Sequence, residues 1–218
     1  MGLFSGIMDL LFPPRCAFCR RFLNKGESGI CRECEKTLLS SGADCKMTGD
    51  FFAGCVAPLN YEGLVRDSVL RFKFKEATSY AGVYGKIIAD CVRRNFEGKY
   101  DIISWVPLSR ERLKKRGYDQ AMLLALAAAL ELSDVAAETL IKHTDVPAQS
   151  GAGSAEKRRA NISGVYTVSD PELIAGKRVL LIDDIITSGS TLSECAKTLL
   201  EAGAEEVRCA TLAAVKDQ

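Results

Sequence analysis

The sequence predicts an α/β domain, a parallel sheet with flanking helices, preceded by a small cysteine module. Three stretches carry that expectation. Residues 179–182 (VLLI) and 102–106 (IISWV) are short apolar runs of the kind buried in a parallel sheet. Each leads into a polar or basic turn and then a helical pattern, the repeating unit of such a sheet. Apart from both, Cys16-x-x-Cys19 and Cys31-x-x-Cys34 form two pairs near the amino end. A chain of 218 residues has room for one domain and an appendage. The division is expected at residue 48, with the module over 1–48 and the α/β domain over 49–218.

Hydrophobic residues make up 47% and charged residues 26%, an ordinary soluble balance, and the net charge of +1 exerts no global pull toward nucleic acid. The opening MGLFSGIMDLLFPP has neither a basic stretch nor a cleavage site, so it does not read as a secretory signal. Gly6 stands where a myristoylation signal needs Ser or Thr. A short packing helix is expected there, with a membrane-surface anchor as the alternative. The longest apolar stretch, residues 121–130, is too short to span a bilayer and is expected as a buried helix. These features point to a cytoplasmic protein. Nine cysteines in a reducing compartment suggest metal binding rather than disulfides.

Eleven residues separate the two cysteine pairs, and Gly26 and Gly29 permit a hairpin between them. Cys16, Cys19, Cys31 and Cys34 together would close a tetrahedral zinc site, which makes the metal structural. Iron–sulfur ligation and free thiols are the alternatives. So small a module cannot bury enough surface to fold alone, and metal binding would supply much of its folding free energy. Cys45 and Cys55 lack partners at ligand spacing, and Cys91, Cys195 and Cys209 lie in apolar runs as core residues.

Along the middle of the chain, Arg71, Lys73 and Lys75 alternate with Phe72 and Phe74. Aromatic and basic residues so interleaved suit single-stranded nucleic acid, although the two Phe are expected in the core beside a strand-like turn. A helix is expected over residues 80–94. After the 102–106 strand comes a loop with five basic residues between positions 110 and 116. Loops at the carboxyl ends of parallel strands collect ligands, so Arg110, Lys114, Lys115 and Arg116 are candidates for a pyrophosphate or a nucleic-acid backbone. A solvated basic helix start is the alternative. Residues 144–161, rich in Gly, Ser and Ala, suggest a lid carrying Gln149, Arg158 and Arg159, with a plain linker as the alternative. His143, the sole histidine, receives no role.

The most specific element is VLLIDDIITSGST at 179–191. Asp183 and Asp184 follow the strand, and Thr187, Ser188, Gly189, Ser190 and Thr191 form a phosphate-sized turn before a helix. Thr191 with Glu194 reads as a capping box. Paired acids one turn from a phosphate cradle suit the vicinal hydroxyls of a sugar phosphate, with Mg²⁺ to offset repulsion. These residues resemble the 5-phosphoribosyl-1-pyrophosphate (PRPP) signature of type I phosphoribosyltransferases. The resemblance implies that Asp183 and Asp184 hold the ribose hydroxyls and the 187–191 turn holds the 5-phosphate.

The whole pattern resembles the competence ComF family of phosphoribosyltransferase-like proteins with an N-terminal zinc ribbon. Matching pieces are LFPPRCAFC at 11–19, CREC at 31–34, segment 61–75, VPLSRERLKKRGYDQ at 106–120, the 149–161 lid and the PRPP turn. Two departures stand out. Only Cys45 remains of a second cysteine knuckle, and Asp119 replaces the usual Asn. Membership implies a cytoplasmic role in DNA uptake for transformation, with a competence helicase and other transformation proteins as partners. Three functions fit: phosphoribosyl transfer to an unknown acceptor, a single-stranded DNA adaptor, and a PRPP sensor without catalysis.

Overall fold

The computed structural model describes residues 13–39, 44–74, 78–143 and 164–215. Its centre is a mixed sheet built from β1 (Cys45–Met47), β2 (Gly54–Ala57), β8 (Glu206–Ala214), β7 (Arg178–Ile186) and β4 (Ile102–Trp105), in that order, with β3 (Leu59–Asn60) also on β8. All pairings are parallel except β1 with β2. A separate antiparallel pair, β5 (Leu140–Lys142) and β6 (Tyr166–Val168), lies off this sheet.

Burial on both faces explains the apolar run in β7. Leu180 and Ile182 point into the core shared with α1 (Arg32–Leu39), α2 (Gly63–Phe74), α3 (Ala81–Phe96) and α5 (Gln120–Leu132). Val179 and Leu181 point to the opposite core, made with α6 (Pro171–Ile174), α7 (Ser190–Glu201) and the β5–β6 pair. A strand buried on both faces carries no polar alternation, which makes it legible as a continuous run. Cys91, Cys195 and Cys209 are core residues, as expected. Helices α3 and α5 cross at Gly85, where a Cβ would lie 2.4 Å from that of Ala127 and 2.7 Å from its backbone carbon.

Several expectations need correction. β7 does not stop at residue 182 but continues through both acids to Ile186, because β8 supplies ladder partners as far as Ala214. The helix over 121–130 is buried on one face only; Leu126 is exposed and Leu130 is 82% exposed. Segment 63–74 is helical, so Phe72 is fully buried while Phe74 is 63% exposed. The basic run is a helix, α4 (Arg110–Arg116), rather than a loop. Ser109 accepts the amide of Arg112 at its start, and Gly117 closes it in the left-handed region. The expected amino-terminal helix lies mostly outside the described residues, and Lys75 is also outside them.

Candidate functional site

Strand β7 carries Asp183 and Asp184 to the carboxyl end of the sheet. The amide of Asp184 donates to Asp183 Oδ1 at 2.7 Å, so the acids are held as a unit. Asp184 is buried and its Oδ2 lies 2.7 Å from Lys73 Nζ on α2. Desolvation and the adjacent Asp184 charge push the Asp183 carboxyl up to about 8, with Lys73 opposing the shift. Beyond the acids, Thr187 and Ser188 are exposed, and the hydroxyls of Ser188 and Ser190 lie 2.9 Å apart.

Helix α7 starts differently from the capping-box expectation. Gly189, at φ +73°, is the N-cap, and no side chain caps the helix. Glu194 instead accepts the amide of Gly164 at 3.1 Å, which ties α7 to the strand β6 region. Thr191 therefore does not cap the helix; it lines the pocket with Asp183, Asp184 and Thr187. The bare amino end of α7 opens beside that pocket, a favourable setting for an anion.

This pocket, of about 350 Å³, gathers residues from seven elements, α2, α4, α5, β5, β6, β7 and α7, and from the turns beside them. Asp119, Asp183 and Asp184 supply the carboxyl groups, while Lys73, Arg112, Arg116 and Lys142 supply positive charge. Asp119 accepts amides at both oxygens, from Leu108 at 2.8 Å and from Met122 at 3.1 Å, the latter capping α5. Burial nevertheless raises its pKa, with those amides working the other way. Arg116 is held by Gln120 Oε1. Tyr166 of β6 and Tyr61 complete the walls.

The candidate residues divide. The acids, Thr187, Thr191 and Arg116 come together in the pocket, and Ser188, Gly189 and Ser190 form the adjoining turn. Lys115 borders a neighbouring cavity of about 350 Å³ with Phe74, Tyr118, Lys73, Arg112 and Arg116. There the Arg116 guanidinium lies 4.8 Å from the Phe74 ring centre. Arg110 and Lys114 are exposed and line neither cavity. Gln149, Arg158 and Arg159 lie outside the described residues. Sequence reasoning passed over Arg112, Lys142 and Tyr166. Arg112 stands four residues before Arg116 on one helix face, a spacing visible in the sequence.

Cys16, Cys19, Cys31 and Cys34 place their sulfurs within 4.8 Å of one another. Cys19 and Cys31 are 3.7 Å apart, matching the roughly 3.8 Å edge of a tetrahedral zinc–thiolate site. The amide of Cys31 points at Cys16 Sγ and that of Cys34 at Cys31 Sγ, each at 3.4 Å. Burial opposes ionisation of Cys31, but the Cys34 amide, the Arg21 guanidinium and the neighbouring thiols outweigh it and bring the thiol to about 6. Burial pushes the Cys19 and Cys34 thiols up instead, so the set holds one thiol biased toward thiolate; four soft donors at this spacing fit structural zinc, which would draw the protons off the others. Cys45 lies on β1 and joins no such cluster among the described residues.

No helix among the described residues is long and apolar enough to cross a membrane. The phosphoribosyl transferase domain family matches residues 113–218, and the double zinc ribbon domain family matches residues 7–65. Competence protein F of Haemophilus influenzae is 27% identical over 89% of this chain and 94% of its own length. Competence protein ComFC of Streptococcus pneumoniae is 28% identical over 90% and 86% respectively. The DNA utilization protein YhgH of Escherichia coli K12 is 25% identical over 93% of this chain and 100% of its own.

Proposed function

Because the chain is a homologue of the competence ComF and ComFC proteins, with a type I phosphoribosyltransferase-like domain behind a zinc-ribbon module, we propose that it binds PRPP and acts on DNA taken up during competence. One observation carries the reading: the paired acids, Thr187 and Thr191 from the two ends of the 187–191 turn, and four cationic side chains line a single pocket. Asp183 and Asp184 accept hydrogen bonds from the ribose hydroxyls. Thr191, the turn and the amino end of α7 hold the 5-phosphate. Arg112, Arg116 and Lys142 face the pyrophosphate. Mg²⁺ bound together with PRPP would neutralise charge on the departing pyrophosphate, and Asp183 and Asp184 are the carboxyl groups that would face it. The protein's own contribution to phosphoribosyl transfer is then position and electrostatics, since no nucleophile is required of it.

A second reading rests on the neighbouring cavity. Exposed Phe74 with Lys115 and Arg116 beside it offers a stacking ring and phosphate contacts for single-stranded DNA. One experiment separates the two. Calorimetry with PRPP and Mg²⁺ is expected to show binding by the parent and a loss of roughly tenfold to a hundredfold in Asp183→Asn, one charged hydrogen bond being worth about 1.5–3 kcal/mol. Titration of a short single strand should be insensitive to Asp183→Asn and weakened by Phe74→Ala. A parent that ignores PRPP at millimolar concentration ends the first reading and leaves the second.

A further inference from the structure

Helix α2 touches both the cysteine module and the pocket, through residues on opposite sides of its last turn. Residues two apart on a helix point about 200° from each other, so Arg71 and Lys73 face different ways. Lys73 reaches Asp184 at 2.7 Å. Arg71 reaches into the first knuckle, donating to the carbonyls of Ala17 at 3.1 Å and Phe18 at 2.6 Å. Those two residues are the ones between Cys16 and Cys19. Ser68, one turn earlier, also donates to Ala17 O at 2.7 Å, and Tyr84 hydrogen-bonds to Ser68. Between the two contacts Phe72 is fully buried, edge-on to Tyr84, and its carbonyl accepts from Tyr118.

The chemistry at each end makes the link consequential. At the knuckle, the Ser68 hydroxyl and one guanidinium nitrogen, Arg71 Nη2, which donates to both carbonyls, fix the rotation of α2; Arg suits this role because its long side chain carries the donors as far as the knuckle. At the pocket, Lys73 is the cation in contact with Asp184, and Asp183 and Asp119 sit in the same cavity. Turning α2 would withdraw Lys73 and leave Asp184 negative where a polyanion must dock. We propose that Arg71 and Ser68 are positioning residues that tie the first cysteine knuckle to Lys73, so that an intact knuckle sets the affinity of the pocket for its anionic ligand. The inference rests on the reading of that pocket as a PRPP site.

A double-mutant cycle tests it on the full chain. Arg71→Lys keeps the charge on a shorter side chain that falls short of the two carbonyls; Lys73→Met removes the ammonium and keeps the stem. Zinc content and thermal midpoint are measured for every variant, and PRPP affinity is read by calorimetry with Mg²⁺. Arg71→Lys is expected to retain zinc and to weaken PRPP binding about threefold to tenfold in the parent. In the Lys73→Met background the same change should have almost no effect. Ser68→Ala provides a second variant should Arg71→Lys fail to fold, with the same pattern expected. Equal losses in both backgrounds, or no loss in the parent, overturn the positioning role while leaving the PRPP reading intact. A parent that does not bind PRPP overturns both.

Discussion

Asp119 stands where the related pattern has Asn, and its surroundings explain why the carboxylate works. Both oxygens accept backbone amides, from Leu108 and Met122, whereas a carboxamide would turn its NH₂ toward one of those donors. Asp183 has the more consequential environment. Its raised pKa means that the folded protein holds a proton there which the unfolded chain, near 3.8, has released. Stability contributed by this group therefore falls as pH climbs from about 4 toward 8. Ligand binding runs the other way, because ribose hydroxyls need the ionised acceptor. PRPP affinity is expected to rise between about pH 7 and pH 9, above the second phosphate ionisation near 6. Asp183→Asn should flatten that rise in calorimetric titrations; a rise that persists in the variant assigns it to another group.

At the scale of elements, the α3–α5 crossing sets a tight tolerance. Gly85→Ala gains helix propensity but drives its Cβ into Ala127, including backbone that no rotamer change relieves. A net loss of about 1–3 kcal/mol is expected from denaturant midpoints. Gly82→Ala on the same helix meets open space and should be neutral or stabilising by up to about 1 kcal/mol. Such crossings were not legible in the sequence, since both glycines look alike there. Strands β4 and β7 were legible because burial on both faces leaves uninterrupted apolar letters, and Asp183 and Asp184 stand out as charge at the end of one. Lys73 was visible only as one of three alternating basic residues; the turn of α2 decides that it, not Arg71, faces the pocket. The phase of α4, set by the Ser109 cap, likewise selects Arg112 and Arg116 from five similar neighbours. Lys142 gave no signal at all, for a three-residue strand carries no pattern.

Over the whole molecule, the cysteine module is packed into the main core rather than appended to it. Cys16, Ala17 and Phe18 are fully buried, and the Phe18 ring meets Tyr84 edge-on at 5.7 Å. Elemental analysis should find about one zinc per chain, unchanged in Cys45→Ser and lost in Cys34→Ser. Because the module shares that core, Cys34→Ser should also lower the thermal midpoint of the entire protein, in one transition rather than two; a separate low-temperature transition would show the module melting alone. The sheet order has a bearing on synthesis as well. Strand β8, made after every other described strand, is the one that joins β2, β3 and β7. Pairings such as Cys55 with Cys209 span most of the chain, and long closures of this kind form slowly. While the ribosome still holds residues 206–214, β2 and β7 have no strand between them, and their apolar faces wait uncovered. The knuckles, with ligands drawn from residues 16–34, can close around metal long before that moment. The growing chain thus emerges with its first ordered piece at one end and the keystone of its sheet at the other.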